Sequence, residues 1–381
     1  MIKKGIAFYT VDLCPQREHL MPWRTILEVA KHMEIDGHNI CIINACYNIN
    51  ERTDYVWNNI SIYAIKPGYS SLSDFIRSQK ISTLFMEIKW RDGLKNWEHI
   101  KKLNCKKIGY FSGGIYNFLN AYKLLQISDF KLARNYLIES LVPKTLLKNK
   151  LKQAHFCHNI GLTDYTTKIA TRCGIPNTTK IYPGKDSFEK LTPDYNIIKK
   201  YQLYKKKFFL FTGAPIAYRG ASELLKAIDL CKNSDIHIVM LIRMDKGTIT
   251  TEFDSILSQL KYRQRVTIIY EKLTRNQLRA FYESAYYAIL PFIVIPSEIP
   301  LTYFEILSCG TPIISFKNGG TTEYLKNGLI LSKLGSNNLA KCLSSTWFND
   351  SKRKEKSESA IEIMKMHPTW DEVAKQWEKF I

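Results

Sequence analysis

The chain has 381 residues, 45% of them hydrophobic, which exceeds one ordinary domain and is enough for two cores of moderate size. Its formal charge is +20, from 55 Lys and Arg against 35 Asp and Glu. No repeat, low-complexity tract or apolar run of membrane-spanning length is present, so solenoid, disordered and integral-membrane classes are set aside.

The positive charge is unevenly spread. Residues 101–150 hold ten Lys and Arg against two Asp and Glu, whereas residues 1–50 hold five of each. Such a concentration points to a polyanionic partner: anionic lipid, a phosphorylated substrate or nucleic acid. The N-terminal stretch reads as a first strand and not a signal peptide, because Asp12 interrupts it and no small-residue cleavage site follows. The nine cysteines form no CxxC pair and read as free thiols in a reducing cytoplasm. No His/Cys cluster or Asp-x-Asp triplet asks for a metal.

Along the chain, short apolar runs alternate with helical patterns, the rhythm of βαβ units around parallel sheets. Strands are expected at 3–11, 38–45, 82–88, 106–114, 153–159 and 179–186, with a helix over 23–37 after the first. The polar, lysine-rich stretch 189–207 marks a domain boundary. The alternation then restarts with strands at 208–213, 236–243, 265–270, 286–292 and 311–316, separated by helices over 220–232, 251–261, 274–285 and about 302–310. The expected fold class is α/β: two doubly wound, Rossmann-like domains facing across a cleft, with ligands at the carboxyl ends of the strands.

Two carboxylates, Glu298 and Glu305, flank a turn fixed by Pro300. Leu301 and Thr302 then open a helix whose unpaired amides and positive dipole end suit a phosphate, while a carboxylate beside it would accept hydrogen bonds from sugar hydroxyls. Thr302-x-x-Glu305 also fits a capping box, a purely structural use of the same residues. Farther back, Gly213 ends a strand and Arg219-Gly220 opens a helix, a second candidate anion site. Arg243 ends the strand over 236–243. In the first half, Ser112 and Gly113 end a strand where backbone amides can approach a ligand, and His19 lies in the loop after the first strand; these are candidates for ligand contact. Between Lys131 and Gln153, lysines alternate with leucines around Pro143, a pattern that suits either packing onto the first sheet or an anionic membrane surface.

The stretch "PSEIPLTYFEILSCGTPIISFKNGGTTEYLKNG", from Pro296 to Gly328, resembles the signature region of the retaining, nucleotide-sugar-dependent glycosyltransferases of family 4, which have the GT-B fold. "FLFTGAPIAYRGASELLKAI" is similar to their glycine turn and basic step, "GIPNTTKIYPGKDSFEKL" to the segment closing their first domain, and "HPTWDEVAKQWEKF" to their terminal helix. The likeness is specific over about 205–330. It implies an acceptor-side domain over 1–190, a nucleotide-sugar-binding domain over 191–366 and a terminal helix, 367–381, returning to the first. It implies further that Glu305 holds the nucleotide ribose, Arg219 the diphosphate, and Glu298 the catalytic position beside the transferred sugar. Two departures stand out. Glu298 and Glu305 enclose six residues where the family usually has seven, which leaves Ser297 or Glu298 for the first acid; and the family's Arg after the glycine is Ala214 here, with Arg243 a substitute.

The expected activity is transfer of a sugar from a nucleotide-diphosphate sugar to a glycan or lipid-linked acceptor, without metal or other cofactor, by a cytoplasmic enzyme peripheral on the membrane through residues 131–153. The alternatives are an epimerase or hydrolase on the same scaffold, and a basic nucleic-acid-binding protein. Against the last stands the absence of any zinc-finger, helix-turn-helix or RRM-like signature.

Overall fold

The computed structural model describes residues 5–48, 52–113, 118–244, 250–296 and 299–381. The first sheet contains β1 (Gly5–Val11), β2 (Asn39–Ala45), β3 (Tyr55–Trp57), β4 (Ile60–Ile65), β5 (Ile81–Ile88), β6 (Lys106–Phe111), β7 (Phe156–Gly161) and β8 (Thr178–Lys180). Their order is β3-β4-β2-β1-β5-β6-β7-β8, parallel except for the β3–β4 pair. The second sheet contains β9 (Phe209–Gly213), β10 (Ile238–Ile242), β11 (Val266–Ile269), β12 (Tyr287–Leu290), β13 (Ile313–Phe316) and β14 (Leu329–Ser332), in the order β11-β10-β9-β12-β13-β14 and wholly parallel. The central strands are continuous apolar runs because helices cover both faces. In each sheet the strand order reverses once, between β1 and β5 and between β9 and β12. These reversals create the crevices where ligands of doubly wound sheets bind.

Three features depart from the sequence expectation. The β3–β4 hairpin was not anticipated; it turns on Asn58 and Asn59, at φ 44° and 67°, a two-residue connection that suits the strand twist. The short β14 was also missed. The strand expected over 179–186 pairs only to Lys180, because Pro183 has no amide hydrogen to donate and Gly184 packs directly beneath Trp370, where a β-carbon would overlap the indole. The basic segment 131–153 forms two helices, Phe130–Leu141 and Lys144–Gln153, broken at Val142 and Pro143. Its leucines divide: Leu147 and Leu151 lie in the first core, whereas Leu137, Ile138 and Leu141 are exposed. The apolar face at the surface therefore belongs to the first of the two helices, while the second turns Leu147 and Leu151 inward.

The chain crosses back at its end. Helix Asp350–Met366 puts Ala360 and Met364 into the core of the second sheet. His367 and Pro368 end it, and a capping box between Thr369 and Glu372 starts the helix Trp370–Glu378. That helix packs on helix Trp23–Ile35 of the first sheet, placing Val373, Ala374 and Trp377 in the first core. Trp377 is fully buried, with ring centroids 5.3 Å from Phe85, 5.5 Å from Tyr110 and 5.8 Å from Phe8. Replacing it by Ala should destabilise the protein by about 3–5 kcal/mol, the usual cost of deleting a large buried aromatic. Denaturant unfolding measures this; a loss below about 1 kcal/mol, the range of surface substitutions, would show that the helix is not integral to the first core.

Candidate functional site

The crevice of the second sheet is built from the loops after β9 and β12. Gly213 ends β9 at φ 145° and Gly220 stands at φ 73°, backbone regions that favour glycine. A β-carbon on Gly220 would also overlap the carbonyl of Pro291, so this close approach of the two loops requires glycine. Hydrogen bonds from the Ile293 and Val294 amides to the Tyr218 carbonyl, at 2.9 and 3.4 Å, hold them together. The guanidinium of Arg219 lies over the Phe292 ring, 5.2 Å from its centroid, and its Nη1 lies 3.4 Å from where a Gly213 β-carbon would stand. The glycine thus lets the arginine lie close along the strand end. The Arg243 amide donates to the Gly213 carbonyl at 3.0 Å, so its backbone borders the same turn, with the side chain exposed.

Helix Leu301–Ser308 begins one residue earlier than expected. Pro300 is its N-cap, with extended backbone and no side-chain cap bond. Leu301 and Thr302 occupy the first two helical positions, whose amides have no carbonyl of their own helix to reach. Glu305 consequently sits a full turn inside and not at the third position, and no capping box forms. Its carboxylate instead receives a hydrogen bond from the Tyr282 hydroxyl at 3.4 Å. Burial pushes the Glu305 carboxyl up to about 7; Asp186 adds to the rise, while Arg275, the Tyr282 bond and Arg24 oppose it. Tyr303, on the same helix, is buried, bonds Ser315 at 2.9 Å and lies within the field of Arg219. The Phe292 ring that carries Arg219 packs edge-on against Tyr303, 5.9 Å between centroids, so the arginine and this helix share one neighbouring ring.

Across the crevice, Gly113 is drawn close to Pro296: a β-carbon on it would stand 3.4 Å from the Pro296 carbonyl. The turn after β6 therefore meets the loop leading to the first acid. Ser297 and Glu298 themselves lie outside the described residues. Ser112 does not open into the cleft as a bare turn residue; its hydroxyl donates to buried Glu87 at 2.5 Å, and Lys89 stands 3.1 Å from the same carboxylate oxygen. His19 is exposed in the loop after β1. Among the described residues no group of three His, Cys, Asp or Glu side chains is placed to hold a metal ion.

Asp186 is a site residue that sequence reasoning missed. It accepts hydrogen bonds from Trp370 Nε1 at 2.8 Å, Arg275 at 3.0 Å and Arg24 at 3.5 Å, and so links the helix Trp23–Ile35, the helix Arg275–Ser284 and the terminal helix beside Glu305. Its partners lie 89 to 184 positions away, beyond any local pattern. Tyr282 and Glu87 were missed for the same reason.

No curated protein matches the chain by sequence. Among solved structures, it resembles a sucrose-phosphate synthase from Thermosynechococcus elongatus at TM-score 0.77 and 13% identity, over 99% of this chain and 98% of that one. A glycosyltransferase from Rickettsia africae matches at TM-score 0.70 and 16% identity, over 100% and 98%. Anabaena HepE in complex with UDP-glucose matches at TM-score 0.70 and 12% identity, over 98% of each chain. These likenesses establish the fold, GT-B, over the whole length. Residues 194–362, which contain Gly213, Arg219 and Glu305, match the family model of glycosyl transferases group 1.

Proposed function

We propose that this protein is a glycosyltransferase that moves a sugar from a nucleotide-diphosphate sugar to an acceptor hydroxyl, with retention at the sugar carbon, in the synthesis of a surface glycan or lipid-linked oligosaccharide. The observation that carries it is the pairing, at one crevice of a group 1 glycosyltransferase region, of a positive end with a hydroxyl-accepting end. Arg219 and the first amides of helix Leu301–Ser308 form the positive end; Glu305, free of any capping role, forms the other. The likeness to HepE, solved with UDP-glucose, supports a nucleotide-sugar donor.

In this reading Arg219 and the helix amides bind the diphosphate and stabilise the charge that grows on it as the glycosidic bond breaks. Glu305 accepts hydrogen bonds from the ribose hydroxyls and fixes the donor's orientation. By resemblance, Glu298, or Ser297 in its place, serves the transferred sugar. The acceptor approaches from the Ser112 and Gly113 edge, which faces Pro296. Arg243 and His19 are assigned to the donor and acceptor margins respectively, on their positions after β10 and β1.

A thermal-shift screen against nucleotide-diphosphate sugars tests this directly, because a ligand that binds only the folded state at 100-fold its Kd stabilises by about 2.7 kcal/mol. At least one such donor should raise the melting temperature, and no response to any nucleoside diphosphate or its sugars would overturn the reading. In calorimetry Arg219→Ala should lose about 1.5–3 kcal/mol of affinity for the diphosphate, the worth of a charge-assisted contact. Unchanged affinity would remove Arg219 from the site.

Glu305 adds a pH dependence. Only its ionised form accepts two hydroxyl donors, so nucleotide affinity should rise with pH through about 7 and level off above it. Stability runs the other way: with the folded value raised above the ordinary 4.5, the contribution is complete below 4.5 and is lost as pH rises through about 7. Glu305→Gln should therefore flatten the pH profile of binding and lower affinity while leaving the melting temperature at pH 8 unchanged or higher. A fall in melting temperature with binding intact would return Glu305 to a structural role.

A further inference from the structure

Eight of the twenty-one exposed large apolar side chains among the described residues fall on two consecutive helices, Phe118–Gln126 and Phe130–Leu141. The first presents Phe118, Leu119, Tyr122 and Leu125; the second presents Phe130, Leu137, Ile138 and Leu141. Each set follows the spacing of one helix face. The opposite faces, Ala121 and Leu124 on one helix and Ala133 and Tyr136 on the other, are buried in an apolar cluster continuous with the core of the second sheet. Both apolar stripes are therefore turned away from a body on which the hairpin is firmly seated. Leaving so much contiguous apolar surface in water is unusual in a monomeric soluble protein and marks an interaction surface.

Charge identifies the occupant. The hairpin carries Lys123, Lys131 and Arg134, the last two exposed among the apolar side chains of its second helix, and four more lysines follow on the next helix, Lys144–Gln153. The whole span, 118–153, has two acids, and neither offsets this charge at the surface. Asp129 caps the second helix, accepting from the Leu132 amide at 3.1 Å, and Glu139 is buried, 3.6 Å from Arg91. Two copies of this chain packed face to face would bring these cations together, a repulsion that a self-complementary interface avoids. Apolar and aromatic stripes interleaved with cations, and without outward carboxylates, suit the boundary of an anionic bilayer.

We propose that the hairpin formed by helices Phe118–Gln126 and Phe130–Leu141 docks on an anionic lipid bilayer, its apolar stripes in the headgroup boundary and its cations on the lipid charges. Phe118 follows Gly113 by five residues, at most about 18 Å of chain. Docking therefore brings the acceptor edge of the crevice to the membrane, and the acceptor it serves is carried by a lipid. The acceptor part rests on the glycosyltransferase reading; the docking part stands without it. The hairpin's turn also reaches the second domain, where Gln126, Ile127 and Ser128 face Ala217 and Ser222 across a cavity of about 360 Å³.

The test uses the full chain and vesicles of phosphatidylcholine with and without phosphatidylglycerol. The protein should pellet with the anionic vesicles at low salt, stay in solution with the neutral ones and be released as salt rises. Leu119→Ser, Phe130→Ser and Leu141→Ser together should reduce binding to background at an unchanged melting temperature, since all three side chains are exposed. Lys131→Gln and Arg134→Gln should each weaken binding about fivefold. Equal binding to both vesicle types, no binding to either, or binding untouched by the triple variant would overturn the proposal. So would a dimer in sedimentation that the triple variant dissolves, which would make a second copy the occupant. The triple variant should keep its thermal shift with the nucleotide-sugar; loss of that shift in the unaltered chain would defeat the glycosyltransferase reading and leave the docking result to stand or fall alone.

Discussion

The geometry of the crevice depends on one junction, where residues 183–186 and 367–370 run side by side between the two sheets. Lys185 and Thr369 form an isolated parallel bridge, and the Lys185 amide donates to the Pro368 carbonyl at 3.0 Å. His367 is buried and spans the same gap: Nε2 donates to the Pro183 carbonyl at 2.8 Å, which leaves Nδ1 to accept from the Tyr324 hydroxyl at 2.7 Å. Burial lowers its pKa to about 4, so the ring is neutral and this tautomer is retained. Asp186 then collects donors from three helices. Three helices thus meet on one half-buried carboxylate, which favours a single arrangement of the sheets. The same carboxylate helps raise the pKa of Glu305. The group that ties the domains together therefore adds, after burial, to the difficulty of ionising the candidate ribose acceptor.

On that frame, the second sheet uses glycine to bring a cation against backbone. Gly220 lets the loop after β9 touch Pro291 at the head of the loop after β12, and Gly213 leaves room for the Arg219 guanidinium beside the strand end. The Phe292 ring face attracts the guanidinium, whose carbon lies 5.2 Å from the ring centroid, and helps to fix its position. The arginine is thus positioned by its neighbours, and groups positioned in advance are those that stabilise developing charge most effectively.

How much of this was legible in the sequence depended on distance along the chain. The alternation of strands and helices, the Gly213–Gly220 turn and the helix after Pro300 are local patterns, and the structure carries them within a few residues of the expected bounds. The β3–β4 hairpin had its own local signal, Asn58-Asn59 between runs rich in aromatic and β-branched residues, and was readable though unread. The capping box failed by two positions: Pro300 took the cap in place of Thr302 and left Glu305 at the fifth helical position instead of the third, a choice that composition cannot reveal. Ser112 looked like an open turn because Glu87, its partner, is 25 positions away. Asp186 had no local signal at all. Amphipathic spacing in 131–153 was visible, but periodicity does not say what a face packs against; the leucines of helix Lys144–Gln153 turned inward and those of the preceding helix outward.

That division bears on the meaning of the +20 charge. A nucleotide-diphosphate sugar carries only a few negative charges, and its crevice supplies one well-placed guanidinium and a helix N-terminus. The excess of cations on the first domain is larger than that ligand requires. At physiological ionic strength, charges more than about 8 Å apart are largely screened from one another, so surface lysines do little for a diphosphate held at the ends of β9 and β12. They act on what they touch. The part of the basic region left exposed together with apolar side chains is the hairpin beside the acceptor edge, whereas the part whose leucines are packed inward keeps its lysines around a filled core. One fold thus offers two separate positive surfaces: an arginine and a helix start at the crevice, and exposed Lys131 and Arg134 on the apolar hairpin.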